Sequence, residues 1–506
     1  MVVKKYYNQI ILAGILILSL VLRFSKMFWQ RDFWYDEAFT GIITRMSWPK
    51  MWWMIFHDVH PPLYYYLLKL WASLFNYSLF SFRSFSVLFG ILSVWSIYWI
   101  GKKLFSTRVG LISAFLMTIS PFAIQYSQEA RMYSLFGFLS LWLIYFFIKS
   151  LQKNQWLDWL SWSGIGILFF YTHYLALFTF VIFYFTTLTY KLLFQEKFLS
   201  STFNFFIKTK IVFRNIFINK KFVTAIMLIS IAFLLWLPAL KQHLSREGLG
   251  WVPVVYVSEI PQTLQFFFYG HQPGKILKPI PNEFKNINFS LSNELAGNLF
   301  DGASLGLIIL LIIITGIIAL WKQNKYRSQI FILISLSGGV LLFLILLSQI
   351  GWRFYVARYF MSVAVLVYLL LGVVIARWRI KWQGIFIAVY ILSLLWLRPI
   401  PYDTHWANLA NNKNLMTENT ILITDNPFAY AIARVHLGEG RVKLYNVNNP
   451  QKDFSEWIIV KPKDQIVDLQ KYLQREDVIF AKDNNCNWGK YQLQSIKKIN
   501  NLQVCR

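Results

Sequence analysis

Cysteine and acid are the two things this chain has least of. Its 506 residues include two cysteines, Cys486 and Cys505, both near the C-terminus. That excludes a disulfide-dense scaffold and any metal centre built on cysteine spacing. Charged residues make up only 14%, and Asp and Glu number 23 against 50 Lys and Arg. A soluble globular domain carries about 25% charge, so that class is excluded as well. Low-complexity tracts and a two-fold internal repeat are also missing, which removes the repeated-halves pattern of many transporters.

What fills the space is apolar. The chain is 57% hydrophobic and 19% aromatic, with a mean hydropathy of +0.46. Several runs reach the roughly 20 residues that cross a bilayer, so the sequence predicts an α-helical polytopic membrane protein. The first run, Ile10 to Val21, follows Lys4-Lys5 and precedes Arg23, Phe24, Lys26 and Trp29. No small-residue cleavage site appears there, which predicts a retained helix and not a signal peptide. The net charge of +27 invites a nucleic-acid reading, but Lys and Arg concentrate in alternate loops, as the positive-inside rule requires.

Eleven spans are predicted, at about 9–28, 83–101, 109–126, 132–148, 157–171, a sixth ending by 190, 222–239, 303–321, 329–350, 359–376 and 383–397. The inner segments then hold 20 Lys/Arg and two acids, Asp158 and Glu196, against 15 Lys/Arg and ten acids on the outer side. Residues 1–397 form a membrane domain and 398–506 a small extracytoplasmic α/β domain. In the latter, Thr420–Thr424 and Trp457–Val460 read as strands, and Pro427–Leu437 and Asp464–Leu473 as helices. An oxidising exterior would allow a Cys486–Cys505 bridge. The loop of about 240–302, with five prolines, is long enough to be functional or disordered.

The scarcity of acid makes its placement informative. Residues 1–397 contain twelve acids, and four of them, Asp32, Asp36, Glu37 and Asp58, lie between Gln30 and Leu68. They sit in the first outer loop, 29–82, beside Trp34, Tyr35 and Pro61-Pro62. Carboxylates at bilayer-level aromatics are costly and mark function. Met46–Phe56 reads as an interfacial amphipathic helix anchored by Trp48, Trp52 and Trp53, and His60-Pro61-Pro62 opens another helix.

Several motifs converge: Trp34-Tyr35-Asp36-Glu37-Ala38, His60-Pro61-Pro62-Leu63-Tyr64-Tyr65, Ser120-Pro121-Phe122, Gln128 to Ser134 (QEARMYS), His173-Tyr174 and Ala357-Arg358-Tyr359-Phe360. Over roughly residues 5–400 this order resembles the GT-C superfamily of polyprenyl-phosphate-sugar-dependent membrane glycosyltransferases. The likeness is to the prokaryotic branch near the protein O-mannosyltransferases and the aminoarabinose transferase of lipid A. The resemblance implies transfer of a sugar from a lipid phosphate at the outer leaflet to a lipid, glycan or protein acceptor. It also implies a catalytic carboxylate at Asp36-Glu37. The MIR-type insertion of eukaryotic protein mannosyltransferases is absent from this sequence, which weighs against a protein acceptor.

The chemistry needs a base for the acceptor hydroxyl and cations for the leaving phosphate. Asp36 is the candidate base and Glu37 the second; the alternative for either is a structural ion pair with Arg31 or Arg45. Arg131, Arg358 and Arg83 are candidates for the phosphate, since a guanidinium can grip it through two parallel bonds; the alternative is interfacial snorkelling. Glu129 orients Arg131 or holds a cation. Trp34, Tyr35, Tyr126 and Tyr133 are candidate sugar or lipid contacts, unless they belong to an interfacial aromatic belt, and Tyr359 is a candidate supporting residue beside Arg358. No cofactor is demanded, but a divalent metal ion is a candidate, with His57, Asp58, His60 and His173 as ligands; His60 could equally cap the helix started by the prolines. An O-antigen-type ligase or polymerase, or a lipid-linked glycan flippase, is the alternative function.

Overall fold

The computed structural model describes residues 2–25, 27, 33–194, 219–244, 252–270, 304–322, 325–396 and, in the tail, segments between 408 and 505. Ten of the eleven predicted spans coincide with one helix each, and the span at 109–126 with two. Among the described residues, eight helices are long and apolar enough to cross a membrane, and one further pair does so as a bent unit. The chain is a multi-pass membrane protein. The remaining two predicted spans are the shorter helices Trp156–Phe170 and Ile380–Trp396.

The first helix, α1 (Val2–Ser25), leads to three short ones: α2 (Tyr35–Thr44), α3 (Trp48–Phe56) and α4 (Leu63–Phe75). As its alternation demands, α3 buries Met51, Met54 and Ile55 and leaves Trp48, Trp52 and Trp53 exposed. The bundle continues with α5 (Leu79–Leu104) and α6 (Thr107–Ile119), whose starts are capped by Ser78 and Ser106. These two helices touch backbone to backbone at Gly101 and Gly110, where a Cβ on Gly101 would lie 2.9 Å from the Gly110 Cα.

The span predicted at 109–126 is in fact two helices, α6 and α7 (Pro121–Ser127), bent by 66°. Pro121 lacks the N–H that would continue the ladder, and the Ser120 hydroxyl caps the new helix at Ala123 N. The break leaves carbonyls without helical partners, and the buried Arg23 of α1 donates to two of them, Thr118 O at 3.3 Å and Met117 O at 3.1 Å. In return Gln128 Nε2 donates to Leu22 O and Arg23 O, closing the end of α1.

Next come α8 (Tyr133–Lys153), α9 (Trp156–Phe170), α10 (Leu175–Phe194), α11 (Lys220–Leu244), α12 (Glu259–Tyr269), α13 (Ser304–Trp321) and α14 (Arg327–Gln349). A 3₁₀ turn, Ala357–Phe360, leads into α15 (Met361–Ile375), which is buried along its whole length, and α16 (Ile380–Trp396) follows. Most of the basic loop, 195–218, lies outside the described residues, as do Arg31, Asp32 and most of the loop predicted at 240–302.

The tail is an α/β unit. Its six-stranded sheet runs β3-β2-β1-β4-β8-β7, from β1 (Ile421–Thr424), β2 (Val442–Tyr445), β3 (Gln465–Ile466), β4 (Val478–Asp483), β7 (Ser495–Ile499) and β8 (Leu502–Cys505); β5 (Asn487–Trp488) and β6 (Tyr491–Gln492) form a separate ribbon. Strands β1 to β4 are parallel, β8 runs antiparallel to β4, and β7 runs antiparallel to β8. The predicted strand at 420–424 and the helix α17 (Pro427–Leu437) are present. The helix expected over Asp464–Leu473 is not: Gln465–Ile466 is an edge strand paired with Leu444–Tyr445, and a turn follows. The predicted strand Trp457–Val460 lies outside the described residues. Cys505 is disulfide-bonded, and Cys486, the other cysteine, also lies outside them.

Candidate active site

The site grows from the first turn of α2. Asp36 and Glu37 are adjacent there, where a helix start favours negative charge, but they point to different places. Glu37 is fully buried. Its Oε1 accepts from Arg83 Nε at 2.9 Å and from Ala130 N at 2.7 Å, and its Oε2 accepts from Arg83 Nη2 at 2.6 Å and from Trp34 N at 3.3 Å. One carboxylate thus joins α2, the first turn of α5 and the turn 129–131.

Asp36 is half-buried, with 22% of its side chain exposed, and its Oδ2 lies 3.7 Å from Arg358 Nη1. Arg358 spreads over the rings of Trp34 and Tyr359, 5.4 and 5.6 Å from their centroids. Arg45, a suggested partner of the acids, points elsewhere and donates to Gly41 O and Tyr77 O.

Arg131 is buried. It donates through Nη1 to the Asp36 carbonyl, Thr40 Oγ1 and Tyr65 OH, at 3.2–3.3 Å. Its Nη2 lies 3.0 Å from His60 Nε2, and a guanidinium can only donate. The His60 proton therefore sits on Nδ1, which donates to Asp58 Oδ2 at 3.1 Å. Burial and the Arg131 charge lower the His60 pKa, so its contact with Asp58 is a hydrogen bond to a neutral ring and not an ion pair. Burial alone would raise Asp58, but the His60 hydrogen bond and the Arg131 charge hold it below its ordinary value.

Glu129 takes a bond from Gln125 Nε2 at 3.3 Å through Oε1. Burial, and then the neighbouring Glu37 charge, push its carboxyl up to about 8. Among the described residues, Trp34 Nε1, Glu129 Oε2, Arg131 Nε, Tyr133 OH and His173 Nε2 are buried polar atoms at this face with no hydrogen-bond partner. Unsatisfied buried groups are rare in folded proteins and point to a ligand.

The four suggested metal ligands are divided. Asp58 and His60 are together, but His57 stacks on Trp53 at 4.2 Å and bonds back to Trp53 O. Among the described residues no three His, Cys, Asp or Glu side chains converge as a ligand set. His173 lies on the site face, its ring 4.7 Å from Tyr359 and 6.4 Å from His60. Tyr133 and Tyr359 stack at 6.4 Å. The structure thus gathers Asp36, Glu37, Glu129, Arg131, Tyr133, His173, Arg358 and Tyr359, and engages Arg83 with Glu37. It also adds members that sequence reasoning missed: Thr40, one turn beyond Asp36 on α2, and Tyr65, quoted in a motif without a role. Trp34, a candidate sugar or lipid contact from the sequence, lies against Arg358.

The cluster of carboxylates and arginines lies within a multi-pass helical bundle. Residues 59–208 match the family described as dolichyl-phosphate-mannose-protein mannosyltransferase. The structure is similar to ArnT from Cupriavidus metallidurans in the apo state, with a TM-score of 0.61 at 10% identity, covering 99% of this chain and 98% of that one. It is also similar to the same protein bound to undecaprenyl phosphate, with a TM-score of 0.58 at 11% identity and 97% of each chain covered. No curated protein sequence matches significantly. The fold is thus ArnT-like, and the segment that matches the mannosyltransferase family runs from just before α4 past the end of α10.

Proposed function

We propose that the protein moves a glycosyl group from a polyprenyl-phosphate donor to an acceptor hydroxyl at the outer face of the membrane, by single displacement. The acceptor oxygen attacks the anomeric carbon and the bond to the lipid phosphate breaks. The phosphate leaves with the bonding electrons, and the acceptor proton passes to Asp36. A phosphate leaves without a proton, so this route needs one base and cations, in contrast to the carboxyl pair of a glycosidase.

The observation that carries this reading is the division of labour between two adjacent acids. Glu37 has four donors on its two oxygens, whereas Asp36 stays partly exposed beside Arg358. Asp36 is accordingly the base and Glu37 a positioning residue. Arg358, with Arg131 behind it, supplies charge for the phosphate. Arg83 holds Glu37 and acts on the donor only through it.

One further feature supports a lipid-phosphate donor: the structurally similar ArnT has been crystallised with undecaprenyl phosphate. The test is consumption of polyprenyl-phosphate sugars by purified protein in detergent. Release of polyprenyl phosphate from at least one sugar donor is the outcome expected. Transbilayer movement of a lipid-linked glycan without cleavage would support a flippase instead.

A further inference from the structure

Two of the partnerless polar atoms differ in kind from the charged groups around them. Leu175 N donates to His173 Nδ1 at 3.1 Å, so the single proton of a neutral ring is on Nε2. The ring stays neutral: burial, and then the nearby guanidinium charges of Arg131 and Arg358, push its pKa well below the usual histidine value. Its Nε2–H is therefore a fixed donor, buried and without a partner. The Tyr133 hydroxyl is likewise buried and unpartnered.

The two rings are neighbours. Their centroids are 6.3 Å apart, and both pack on Tyr359, the ring over which Arg358 lies. Packing fixes where they point: Phe136 backs the imidazole at 5.2 Å, and Tyr126 meets Tyr133 edge-on at 5.0 Å. The result is a pair of uncharged hydrogen-bonding groups set among aromatic faces, adjacent to the guanidinium. A phosphate is served by cations. Neutral donors framed by aromatic rings suit a hydroxyl-bearing, uncharged ring.

We propose that His173 and Tyr133 form a subsite for hydroxyls of the transferred sugar, distinct from the arginines that meet the phosphate, and that they set which sugar is accepted. The proposal rests on the polyprenyl-phosphate-sugar reading of the site. Its physical basis is asymmetric: a site built to hydrogen-bond a hydroxyl rejects an analogue lacking it, because the site's own polar groups stay unpaired.

The experiment measures equilibrium binding to the full-length protein in detergent. The probes are bare undecaprenyl phosphate and undecaprenyl phosphate carrying a mannosyl, glucosyl or galactosyl group. Tyr133→Phe removes one oxygen, His173→Phe removes the donor but keeps a ring, and His173→Gln returns an N–H near the Nε2 position. At least one glycosylated probe should bind wild type more tightly than the bare lipid. Tyr133→Phe and His173→Phe should each weaken that probe at least tenfold and leave the bare lipid within twofold, and His173→Gln should recover part of the loss. Equal weakening of both lipids would make these residues phosphate or lipid contacts and overturn the subsite, as would no weakening of either. Wild type that binds neither lipid would instead overturn the donor reading beneath it.

Discussion

Adjacent residues can have opposite lives. Asp36 and Glu37 follow one another on a helix, where successive side chains point about 100° apart, so only one can face the core. The pattern of the sequence located the acidic pair but not its rotation, because the partner that captures Glu37, Arg83, is on another helix. Loss of Glu37 should therefore register as stability. Glu37→Gln leaves the buried Arg83 without its counter-charge, a loss of about 3–5 kcal/mol when a buried pair is broken, and the midpoint of unfolding in detergent should fall markedly. An unchanged midpoint would show that the pair is not what ties α2 to α5.

Glu129 yields a pH signature. Its carboxyl is raised from an ordinary 4.5 to about 8 in the fold. The folded chain therefore holds a proton that the unfolded chain releases between those values, so this group costs stability as pH rises from about 4.5 to 8 and no further above it. Glu129→Gln cannot ionise. Its stability relative to wild type should improve from pH 5 to pH 8, as read by melting midpoints across that range. A constant difference would place Glu129 in ordinary contact with water.

Among the elements, the broken helix α6–α7 is what the span pattern could not reveal. Hydropathy runs continuously through 107–127, and Ser120-Pro121 permits either a kink or a full break. Arg23, in the last turn of α1, meets the carbonyls freed at the break, partners that the sequence does not name. Through Arg23 and Gln128 the elbow holds the turn that carries Glu129 and Arg131. Arg23→Met should strand the two α6 carbonyls, at about 1–3 kcal/mol each, and lower kcat by displacing Arg131 while leaving KM for the acceptor little changed. A loss of stability with full kcat in the folded fraction would confine Arg23 to scaffolding.

The helix positions themselves were legible, since a run of some 20 apolar residues has few alternatives at membrane depth. The tail was less so. Short strands with mixed burial carry weak periodicity, and an edge strand of two residues, Gln465–Ile466, cannot be told from a helix turn by pattern alone.

Taken whole, the molecule joins tail and membrane domain through α17. One face of this helix gives Tyr430 and Ala433 to the core of the tail, while Ala431 is buried with the core of the membrane domain and the helix packs on α2. His436 meets Phe33 at 5.9 Å, just ahead of the acidic pair. Tail and site therefore lie on the same side of the membrane. A cysteine replacing Asn408 should react with an impermeant maleimide in intact cells, and one replacing Asn204 should not. The reverse pattern would invert the orientation and, with it, the side on which transfer occurs.

The central claim is that Asp36 takes the proton. Asp36→Asn preserves shape and most hydrogen bonding but cannot accept it, and general base catalysis is worth about 10²–10⁴ in rate. The measurement is single-turnover transfer from a polyprenyl-phosphate sugar by purified wild type and Asp36→Asn, with melting midpoints and donor affinity taken on the same samples. The account predicts a variant that melts and binds donor like wild type and transfers at least a hundredfold more slowly. Near-wild-type transfer by Asp36→Asn, or a loss of activity that merely follows a loss of fold, would contradict it.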